Sequence, residues 1–474
     1  MLSRRLLRAT AFYGTALTVV TLLILYLTAG SEFYETVKTR AKGHYDTVSS
    51  AIDEKLSQMS NSRTGDSSSQ PGLENAPEFI PTTKSTEIIN KLMERLEKPL
   101  YDDGIDSRQI LRKNKETYAS VLRTKIDEPN VDNLVKAGSD EAGTAKATFL
   151  CLVRNEDLDG IIKSIQTLQE TFNNEFNYPY TFLNDDEFTE EFKKGILNAL
   201  PAKASVRFGK IEDSDWEMPA WIDIGDYQKK MEALDEQGVG HAKQLSYHNM
   251  CRYYSKNFHH HPMLRDYKFA WRVEPGVSFY CQIDYDVFKF MEMNNKVYGF
   301  TLNLYDNPLT VETLWPTVME FVREHPDYLH ENGAFEWLKE NGQKPDNYNG
   351  ANGYSTCHFW TNFEITNLDF LRSQLYQDYV DFLDQRGGFY YERWGDAPVR
   401  SIALALFADK DSIHWFRDIG YSHMPYTNCP KRDEEKYRAQ CVPGKFVPWG
   451  NLEAENCQAT WIKYVMSEDQ MDLY

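Results

Sequence analysis

The sequence predicts an α/β fold, and two patterns between Ala147 and Ile211 carry that prediction. Apolar runs of strand length, ATFLCLVRN, YPYTFLND and KASVRFGKI, alternate with two helical runs. In the first helical run, EDLDGIIKSIQTLQETF, apolar residues recur at the three- and four-residue spacing of a helix face. A β-α-β-α-β order predicts a parallel sheet with right-handed crossovers.

Length and composition limit the classes of protein to which this chain can belong. Its 474 residues, 41% of them hydrophobic, suffice for a large core or two. Aromatic residues make up 14% of the chain, which favours clefts that stack rings against sugars or bases, although core packing uses the same residues. The formal charge of -19 argues against an electrostatic nucleic-acid binder, so we expect no nucleic-acid partner.

The first thirty residues predict a membrane anchor. Ala11 to Ala29 carries no charge and is long enough to cross a bilayer as a helix, and arginines precede it at positions 4, 5 and 8. By the positive-inside rule, residues 1–10 form a cytoplasmic tail of a single-pass type II protein. A cleaved signal peptide is the alternative; it is disfavoured because the apolar run is too long and Leu27 is too large for its position before a cut after Ala29.

A polar stretch separates this predicted anchor, residues 11–29, from the folded part. Residues 30–82 contain SNSRTGDSSSQPG, which has the composition of a flexible linker, and we interpret them as a stem. Helical spacing returns between Thr83 and Val135, as in EIINKLMERL. We therefore predict one lumenal folded domain over residues 83–474, beginning with a helical layer.

A lumenal location would allow disulfides among the seven cysteines, and an odd number leaves at least one thiol unpaired within the chain. Cys429 and Cys441 lie in a loop-like segment and could close a short loop, with Cys457 as a competing partner. Cys151 lies in an apolar strand and is expected to be a buried thiol. No Cys/His spacing predicts a structural zinc site.

Polar residues follow the first two predicted strands: Arg154 after the first, and Asn184 and Asp185 after the second. Ligands bind at the carboxyl ends of strands in such sheets, so these residues are candidates for ligand binding. The Arg154 guanidinium can bind a phosphate or carboxylate; a surface ion pair with Glu156 or Asp157 is the alternative. The chain has neither a GxGxxG nor a P-loop motif.

Glu274 is a candidate ligand of a metal or substrate. It ends an apolar run in WRVEPGVSFYCQIDYDVF, and Pro275 and Gly276 place it at a strand-to-loop junction. An ordinary solvated glutamate is the alternative. Asp284 and Asp286 follow in the same stretch.

Later segments predict further elements and isolated polar candidates. NNKVYGFTLNLYD predicts a strand, and residues 312–338 and 370–386 predict helices. In YSTCHFWTNFEI, Asn362 and Glu364 could share a strand face. Asp396 precedes an apolar helix and His423 follows a glycine turn. The histidines at 259–261 predict a solvated turn rather than a metal site, because adjacent side chains point in different directions.

Six blocks, in this order behind an anchor and stem, resemble the fungal α-1,2-mannosyltransferases of glycosyltransferase family 15. The resemblance extends from about Ala147 to the C-terminus. The blocks are SYHNMCRYYSKNF, RVEPGVSFYCQIDYDVF, NKVYGFTLNLYD, CHFWTNFEI, YYERWGDAPVRSIALALF and GYSHMPYTNCP.

The resemblance implies a GT-A type fold with a Rossmann-like mixed sheet, a GDP-mannose donor, Mn²⁺ and retention of the anomeric configuration. It makes Glu274 and His423 the metal ligands and Glu364 the carboxylate proposed as nucleophile. It makes Asp396 a second active-site acid and places Tyr247 near the reacting sugar. Position 282 is glutamine where several relatives are expected to carry an acid.

The resemblance also implies mannose transfer to mannose hydroxyls of N- or O-linked glycans on secretory or cell-wall glycoproteins, in the Golgi lumen. Retention requires a covalent glycosyl-enzyme or attack within an ion pair, and both routes stay open. Mannosylphosphate transfer and mannan binding without catalysis are the alternative functions.

Overall fold

Twelve strands form three sheets in the computed structural model, which describes residues 79, 83–102, 104–126, 128–439, 441 and 456–474. The strands are β1 (Ala147–Leu152), β2 (Tyr180–Asn184), β3 (Val206–Lys210), β4 (Phe269–Arg272), β5 (Ser278–Phe279), β6 (Tyr298–Phe300), β7 (Asn303–Tyr305), β8 (Cys357–Phe359), β9 (Ile365–Asn367), β10 (Ile413–Trp415), β11 (Tyr421–His423) and β12 (Tyr426–Asn428).

The largest sheet has seven strands in the order β10-β6-β9-β4-β1-β2-β3. β1 pairs in parallel with β2 and β4, and β2 pairs in parallel with β3, which confirms the predicted parallel β-α-β-α-β unit. β9 runs antiparallel to both β4 and β6. The protein therefore has an α/β fold with a mixed sheet, as predicted. The strands β12-β11-β5 and β7-β8 form two smaller antiparallel sheets.

The described residues also form eighteen α-helices. They are α1 (Thr86–Glu97), α2 (Ser107–Arg123), α3 (Leu158–Leu168), α4 (Asn174–Phe176), α5 (Glu190–Ala199), α6 (Asp213–Trp216), α7 (Ile224–Glu236), α8 (Leu245–Lys256), α9 (Val287–Met293), α10 (Leu314–Glu324), α11 (Phe335–Leu338), α12 (Pro345–Gly350), α13 (Leu368–Arg372), α14 (Gln374–Arg386), α15 (Gly388–Tyr391), α16 (Asp396–Phe407), α17 (Gln458–Tyr464) and α18 (Glu468–Met471). A π-helical turn, Gln169–Asn173, separates α3 from α4.

Alternation along the central strands creates one apolar core on each face of the large sheet. Leu150 and Ala270 belong to one buried cluster, whereas their neighbours Phe149 and Trp271 belong to the other. Successive side chains of a strand point to opposite faces, so this division follows from the pleat. Both faces of the central strands are therefore covered, which explains their nearly continuous apolar sequences.

The predicted helical layer at the start of the folded part is present as α1 and α2. Side chains of α1 at Leu92 and Leu96 are buried in the larger core. The described residues belong to one folded unit bounded by Pro77 and Tyr474. The predicted tail and anchor, and the stem apart from Phe79, lie outside the described residues, so these domain boundaries stay predictions.

Among the helices of the described ranges, none has both the length and the apolar character needed to cross a bilayer.

The cysteine predictions are confirmed, and the structure adds a second bridge. Cys429 pairs with Cys441, while Cys457 pairs with Cys357 across 100 residues of sequence. Cys151 is a buried free thiol in β1, as expected.

Several local predictions are wrong. The run at 312–338 is interrupted after α10, because Pro326 follows its end. The run at 370–386 is two helices, since the Ser373 side chain caps α14 by accepting from Tyr376 N. NNKVYGFTLNLYD forms β6 and β7, which belong to different sheets. Asn362 and Glu364 lie in the turn before β9, so they do not share a strand face.

The histidine turn is also less solvated than predicted. His259 is fully buried, and its Nε2 lies 2.8 Å from Gln377 Nε2, while His260 is exposed. Burial holds the pKa of His259 well below its ordinary value. Within the described part of the chain, these histidines belong to no group of three or more metal-binding side chains.

Candidate functional site

A cleft of about 230 Å³ opens at the carboxyl ends of β1 and β2, beside α8. Arg154, Asn184, Asp185 and Tyr247 all line it. The first three follow or end the parallel strands, and the fourth lies in the first turn of α8. The structure therefore brings together three predicted ligand-binding residues and one predicted catalytic residue.

Two groups in this cleft have hydrogen-bonding capacity to offer a ligand. The Arg154 guanidinium lies 4.0 Å from Glu156 Oε1 and 3.9 Å from Asp185 Oδ1, which is beyond hydrogen-bond length. The Asn184 side chain is buried, and its Oδ1 has no hydrogen-bond partner among the described residues. A buried acceptor without a partner is costly, so a donor from a bound ligand would stabilise it.

Glu274 and His423 face each other. The turn at Pro275 and Gly276, where φ is +83°, leads directly into β5, and β5 pairs antiparallel with β11. That pairing places His423 Nε2 3.9 Å from Glu274 Oε2. The other carboxylate oxygen, Oε1, accepts a 2.8 Å hydrogen bond from Arg272 Nε. One oxygen of Glu274 is thus held by the protein, and the other faces the imidazole.

This pair fits a divalent cation. A carboxylate and an imidazole are suitable ligands for Mn²⁺, and 3.9 Å is a separation that two ligands of one ion can span. No group of three or more His, Cys, Asp or Glu side chains in the described residues could hold a metal. Protein ligands would therefore fill two coordination positions, and water or substrate phosphate oxygens the others, as at many Mg²⁺ and nucleotide sites.

Two buried arginines bind the three predicted acids. The Arg272 guanidinium contacts Glu274 on one side and donates a 2.6 Å hydrogen bond from Nη1 to Asp396 Oδ2 on the other. Glu364 Oε2 lies 3.1 Å from Arg400 Nε, and its Oε1 lies 4.0 Å from Arg272 Nη1. Three carboxylates and two guanidiniums therefore form one cluster.

Burial and neighbouring charges shift the pKa values of this cluster in opposite directions. Burial lowers the pKa of Arg272, but the negative charge of Glu274 and other neighbours outweighs it, so the net pKa lies well above the ordinary value. Burial raises the pKa of Glu364, against the opposing charges of Arg400 and Arg272. The side chain of Glu364 is only 2% exposed, whereas that of Glu274 is 24% exposed. Glu274 is the more accessible of these two acids.

Asp396 and the cleft are neighbours through α8. Asp396 begins α16, and its Oδ2 also accepts a 2.8 Å hydrogen bond from Thr361 Oγ1. Met250 lines the cleft, and its Sδ lies 3.9 Å from Arg272 Nη2. The cluster and the cleft are therefore adjacent parts of one site.

The other polar residues of the Glu274 stretch hold loops together. Asp286 is buried and caps α9 by accepting from Phe288 and Lys289 backbone amides. Asp284 binds Lys436 at 2.6 Å, and Gln282 Oε1 accepts from Arg438 Nε at 2.8 Å. Among the described residues, these hydrogen bonds and ion pairs of Gln282, Asp284 and Asp286 involve neither Glu274 nor His423.

Three arginines that contact predicted site residues were not predicted from the sequence: Arg272, Arg400 and Arg393, which donates a hydrogen bond to Tyr247. A signal was present for two of them, because Arg272 interrupts the apolar run before Glu274 and Arg400 interrupts the apolar helix after Asp396. Arginine is almost never buried unless it is paired, so a charge inside an apolar run predicts a nearby carboxylate.

This chain is similar to known mannosyltransferases over most of its length. The family model described as Glycolipid 2-alpha-mannosyltransferase matches residues 106–466. A probable mannosyltransferase, KTR4 of Saccharomyces cerevisiae, is 52% identical over 477 residues, which cover 100% of this chain and 99% of that protein. The Glycolipid 2-alpha-mannosyltransferase of the same organism is 37% identical over 439 residues, 92% of this chain and 90% of that protein.

Two solved structures are similar to this one. The X-ray structure of Ktr4p from S. cerevisiae in complex with GDP is 57% identical, with a TM-score of 0.81, and covers 82% of this chain and 100% of that chain. The Mn/GDP form of core-mannan synthase A from Aspergillus fumigatus is 45% identical, with a TM-score of 0.70, over 73% of this chain and 93% of that chain.

Proposed function

Because the chain belongs to the glycolipid 2-α-mannosyltransferase family, glycosyltransferase family 15, we propose that it transfers mannose from GDP-mannose to a mannose 2-hydroxyl of a glycoprotein glycan. The fold proposed with this function is of the GT-A type, and the anomeric configuration is retained. The observation that carries the proposal is the 3.9 Å approach of Glu274 Oε2 and His423 Nε2 beside a cleft at the strand ends. Among relatives of this fold, one holds GDP and another holds Mn and GDP.

Mn²⁺ is the proposed cofactor, with Glu274 and His423 as its protein ligands. The ion supplies positive charge that stabilises the diphosphate of the leaving group. Arg272 holds one oxygen of Glu274 and leaves the other directed at His423. The protein therefore fixes the direction of the carboxylate before any ion binds.

Arg154, Asn184 and Asp185 are proposed to bind the nucleotide. The planar guanidinium of Arg154 can donate two parallel hydrogen bonds to diphosphate oxygens. Asn184 Oδ1 and the Asp185 carboxylate can accept hydrogen bonds from ribose hydroxyls or guanine amino groups. All three line the cleft, so one nucleotide can reach them together.

Asp396, Glu364 and Tyr247 are proposed to act at the reacting sugar. Arg272 and Thr361 both donate their hydrogen bonds to Asp396 Oδ2, and no described side chain is seen to donate to Oδ1. Asp396 can therefore accept the proton of the attacking hydroxyl on Oδ1. In a double displacement, a Glu364 oxygen would bond to the anomeric carbon as the bond from that carbon to GDP breaks, and the resulting ester would no longer carry the negative charge that pairs with Arg400. Attack within an ion pair would form no bond to Glu364, whose buried carboxylate would stay paired with Arg400.

The decisive experiment measures GDP release by the full chain with a mannoside acceptor, with and without Mn²⁺. Wild type is expected to release GDP only with the metal, and Glu274→Ala is expected to lose at least about a hundredfold in rate, a size seen when one electrostatic group is removed from an active site. Glu97→Ala, at an exposed ion pair with Arg323, is the control and keeps wild-type turnover.

The product separates this function from its alternatives. Linkage analysis is expected to give an α-1,2-mannosidic bond. A charged, phosphodiester-linked product would establish mannosylphosphate transfer instead. Binding of mannan with no GDP release under any divalent metal would establish a protein without catalysis, and full turnover by Glu274→Ala would contradict the metal site.

The proposed location is the Golgi lumen, behind a type II anchor at residues 11–29. The support is the uncharged run with arginines before it. In sealed Golgi vesicles, added protease is expected to leave the catalytic domain intact until detergent is present. Digestion of the domain without detergent would contradict this topology.

A further inference from the structure

Arg393 is a charged residue that contacts Tyr247 in the cleft lining, and none of the roles above uses it. Its Nη1 donates a 3.2 Å hydrogen bond to the Tyr247 hydroxyl, and its guanidinium carbon lies 5.4 Å from the centre of the Tyr247 ring. Its Nη2 lies 3.7 Å from Asp306 Oδ1. The Arg393 side chain is 12% exposed, and its Nε has no hydrogen-bond partner among the described residues.

The segment that carries Arg393 is held in place on both sides. Trp394 is buried and donates a 2.8 Å hydrogen bond from Nε1 to Glu392 Oε2. α15 packs so closely on the Trp394 ring that a Cβ added at Gly388 would lie 2.1 Å from it. Asp396 follows three residues after Arg393. One short, fixed segment therefore places Arg393 against Tyr247 and Asp396 against Arg272.

The hydrogen bond from Arg393 fixes the role of the Tyr247 hydroxyl. A guanidinium only donates, so the phenol oxygen accepts and its own hydrogen must point away from Arg393. His241 stacks on the Tyr247 ring at 4.5 Å, with an angle of 8° between the ring planes, which limits rotation of the ring. Cys251, whose sulfur becomes negatively charged only at high pH, and burial raise the pKa of Tyr247 well above its ordinary value, against the opposing charge of Arg393, so the hydroxyl keeps its proton.

We propose that Arg393 is a positioning residue that turns the Tyr247 hydroxyl into a hydrogen-bond donor aimed into the cleft, towards an oxygen of the donor sugar or its leaving phosphate. This inference rests on the proposed function and deepens it. Arg393 acts through Tyr247, and Asp306 holds Arg393 from the opposite side. Tyr247 itself lines the cleft, and in this proposal its hydroxyl is the group that contacts the ligand.

A double-mutant cycle on the full chain with Mn²⁺ tests the link. Tyr247→Phe and Arg393→Met are each expected to lower kcat/KM about tenfold, the effect of losing one hydrogen bond that involves a charged group. The double variant is expected to be no slower than the slower single variant, because Arg393 has nothing to orient once the hydroxyl is gone. Arg323→Met, at an exposed arginine, is the matched control and keeps wild-type rates.

Arg393→Lys is the second variant, because removing a buried cation can destabilise the fold. Lysine keeps the positive charge but lacks the planar guanidinium with its several N–H donors. We expect Arg393→Lys to lower kcat/KM less than Arg393→Met does, and its effect to depend in the same way on the Tyr247 hydroxyl. Independent effects, in which the double variant loses about a hundredfold, would overturn the inference while wild-type turnover upholds the proposed function. A wild-type chain that releases no GDP would overturn both.

Discussion

At the scale of single residues, Arg272 connects the acids of the site. It is 4% exposed, stacks at 3.6 Å over the centre of the Tyr254 ring, and binds Glu274 and Asp396 at the same time. A buried cation between two carboxylates is tolerated because each charge has a partner. The same contacts fix the direction of both acids, so one residue links the stability of the fold to the geometry of the site.

Replacing Arg272 with methionine tests this link. Arg272→Met keeps much of the volume but leaves Glu274 and Asp396 without their shared cation, and we expect the free energy of unfolding to fall by about 3–5 kcal/mol. Denaturant unfolding measures the loss. Arg323→Met removes an exposed arginine and is expected to stay within about 0.5 kcal/mol of wild type. Equal stability of Arg272→Met and wild type would show that the cluster does not depend on its cation.

Single residues also show what the sequence could and could not reveal. Glu274 could be singled out because Pro275 and Gly276 mark the end of its strand, and Asp396 because an apolar helix follows it. Arg393 could not, because its partners Tyr247 and Asp306 lie more than eighty residues before it in the sequence. Hydrogen bonds between residues far apart in the chain depend on tertiary packing, which local pattern does not encode.

At the scale of elements, a buried ion pair joins α8, which carries Tyr247, to α14. Arg252 binds both oxygens of Asp384, from Nε at 2.7 Å and from Nη2 at 3.0 Å. Lys256 adds a 2.6 Å contact to the second oxygen. The helix that lines the cleft is thereby fixed against the helix behind it by a two-point contact.

The contribution of the Arg252–Asp384 pair to stability should depend on pH. Burial alone would raise the pKa of Asp384, but Arg252 and Lys256 outweigh it and hold the pKa below its ordinary value. An acid with a lowered pKa contributes stability that is complete above about pH 4 and is lost as the pH falls through its folded pKa. We expect Asp384→Asn to lose about 3–5 kcal/mol at pH 7, and the gap from wild type to narrow below about pH 4.

Urea unfolding at pH 3 to 7 measures that gap. Asp226→Asn is the control, because Asp226 forms an exposed pair with Lys230 at 3.4 Å and is expected to change stability by less than about 1 kcal/mol. A difference between Asp384→Asn and wild type that stays constant across this range would contradict a lowered pKa of Asp384 in the folded state.

The elements themselves were only partly predictable. The alternation of strands and helices in β1 to β3 was readable because each element keeps its own period over enough residues. The antiparallel strand β9 was not, since its three residues pair with β4 and β6 far away in sequence. Ser373 breaks a helical pattern by capping, an effect that apolar spacing alone does not distinguish from an ordinary polar face.

At the scale of the whole molecule, the fold assembles the site from residues spread between Arg154 and His423. The parallel strands bring Arg154, Asn184 and Glu274 to one edge of the large sheet. The small sheet then supplies His423, through the register that pairs Tyr421 with Phe279. The position of the cleft could be predicted from the β-α-β pattern. The approach of His423 to Glu274 depends on the pairing of β5 with β11, which no spacing in the sequence specifies.

This assembly predicts that metal and nucleotide stabilise the protein together. Two protein ligands hold Mn²⁺ weakly, and a nucleotide adds phosphate oxygens to the same ion. We therefore expect Mn²⁺ alone and GDP alone to raise the Tm of the full chain little. Together they are expected to raise it by more than the sum, on the order of a few degrees at ligand concentrations near a hundred times Kd.

Thermal unfolding of four samples, with neither ligand, each alone and both, measures the excess. EDTA is expected to remove the excess, and Glu274→Ala to abolish it while leaving the small effect of GDP alone, since Arg154 and Asn184 are unchanged. Glu97→Ala, away from the site, is expected to keep the full excess. If Mn²⁺ alone produced the whole shift, the ion would need a complete set of protein ligands, and the described residues around Glu274 and His423 offer only these two.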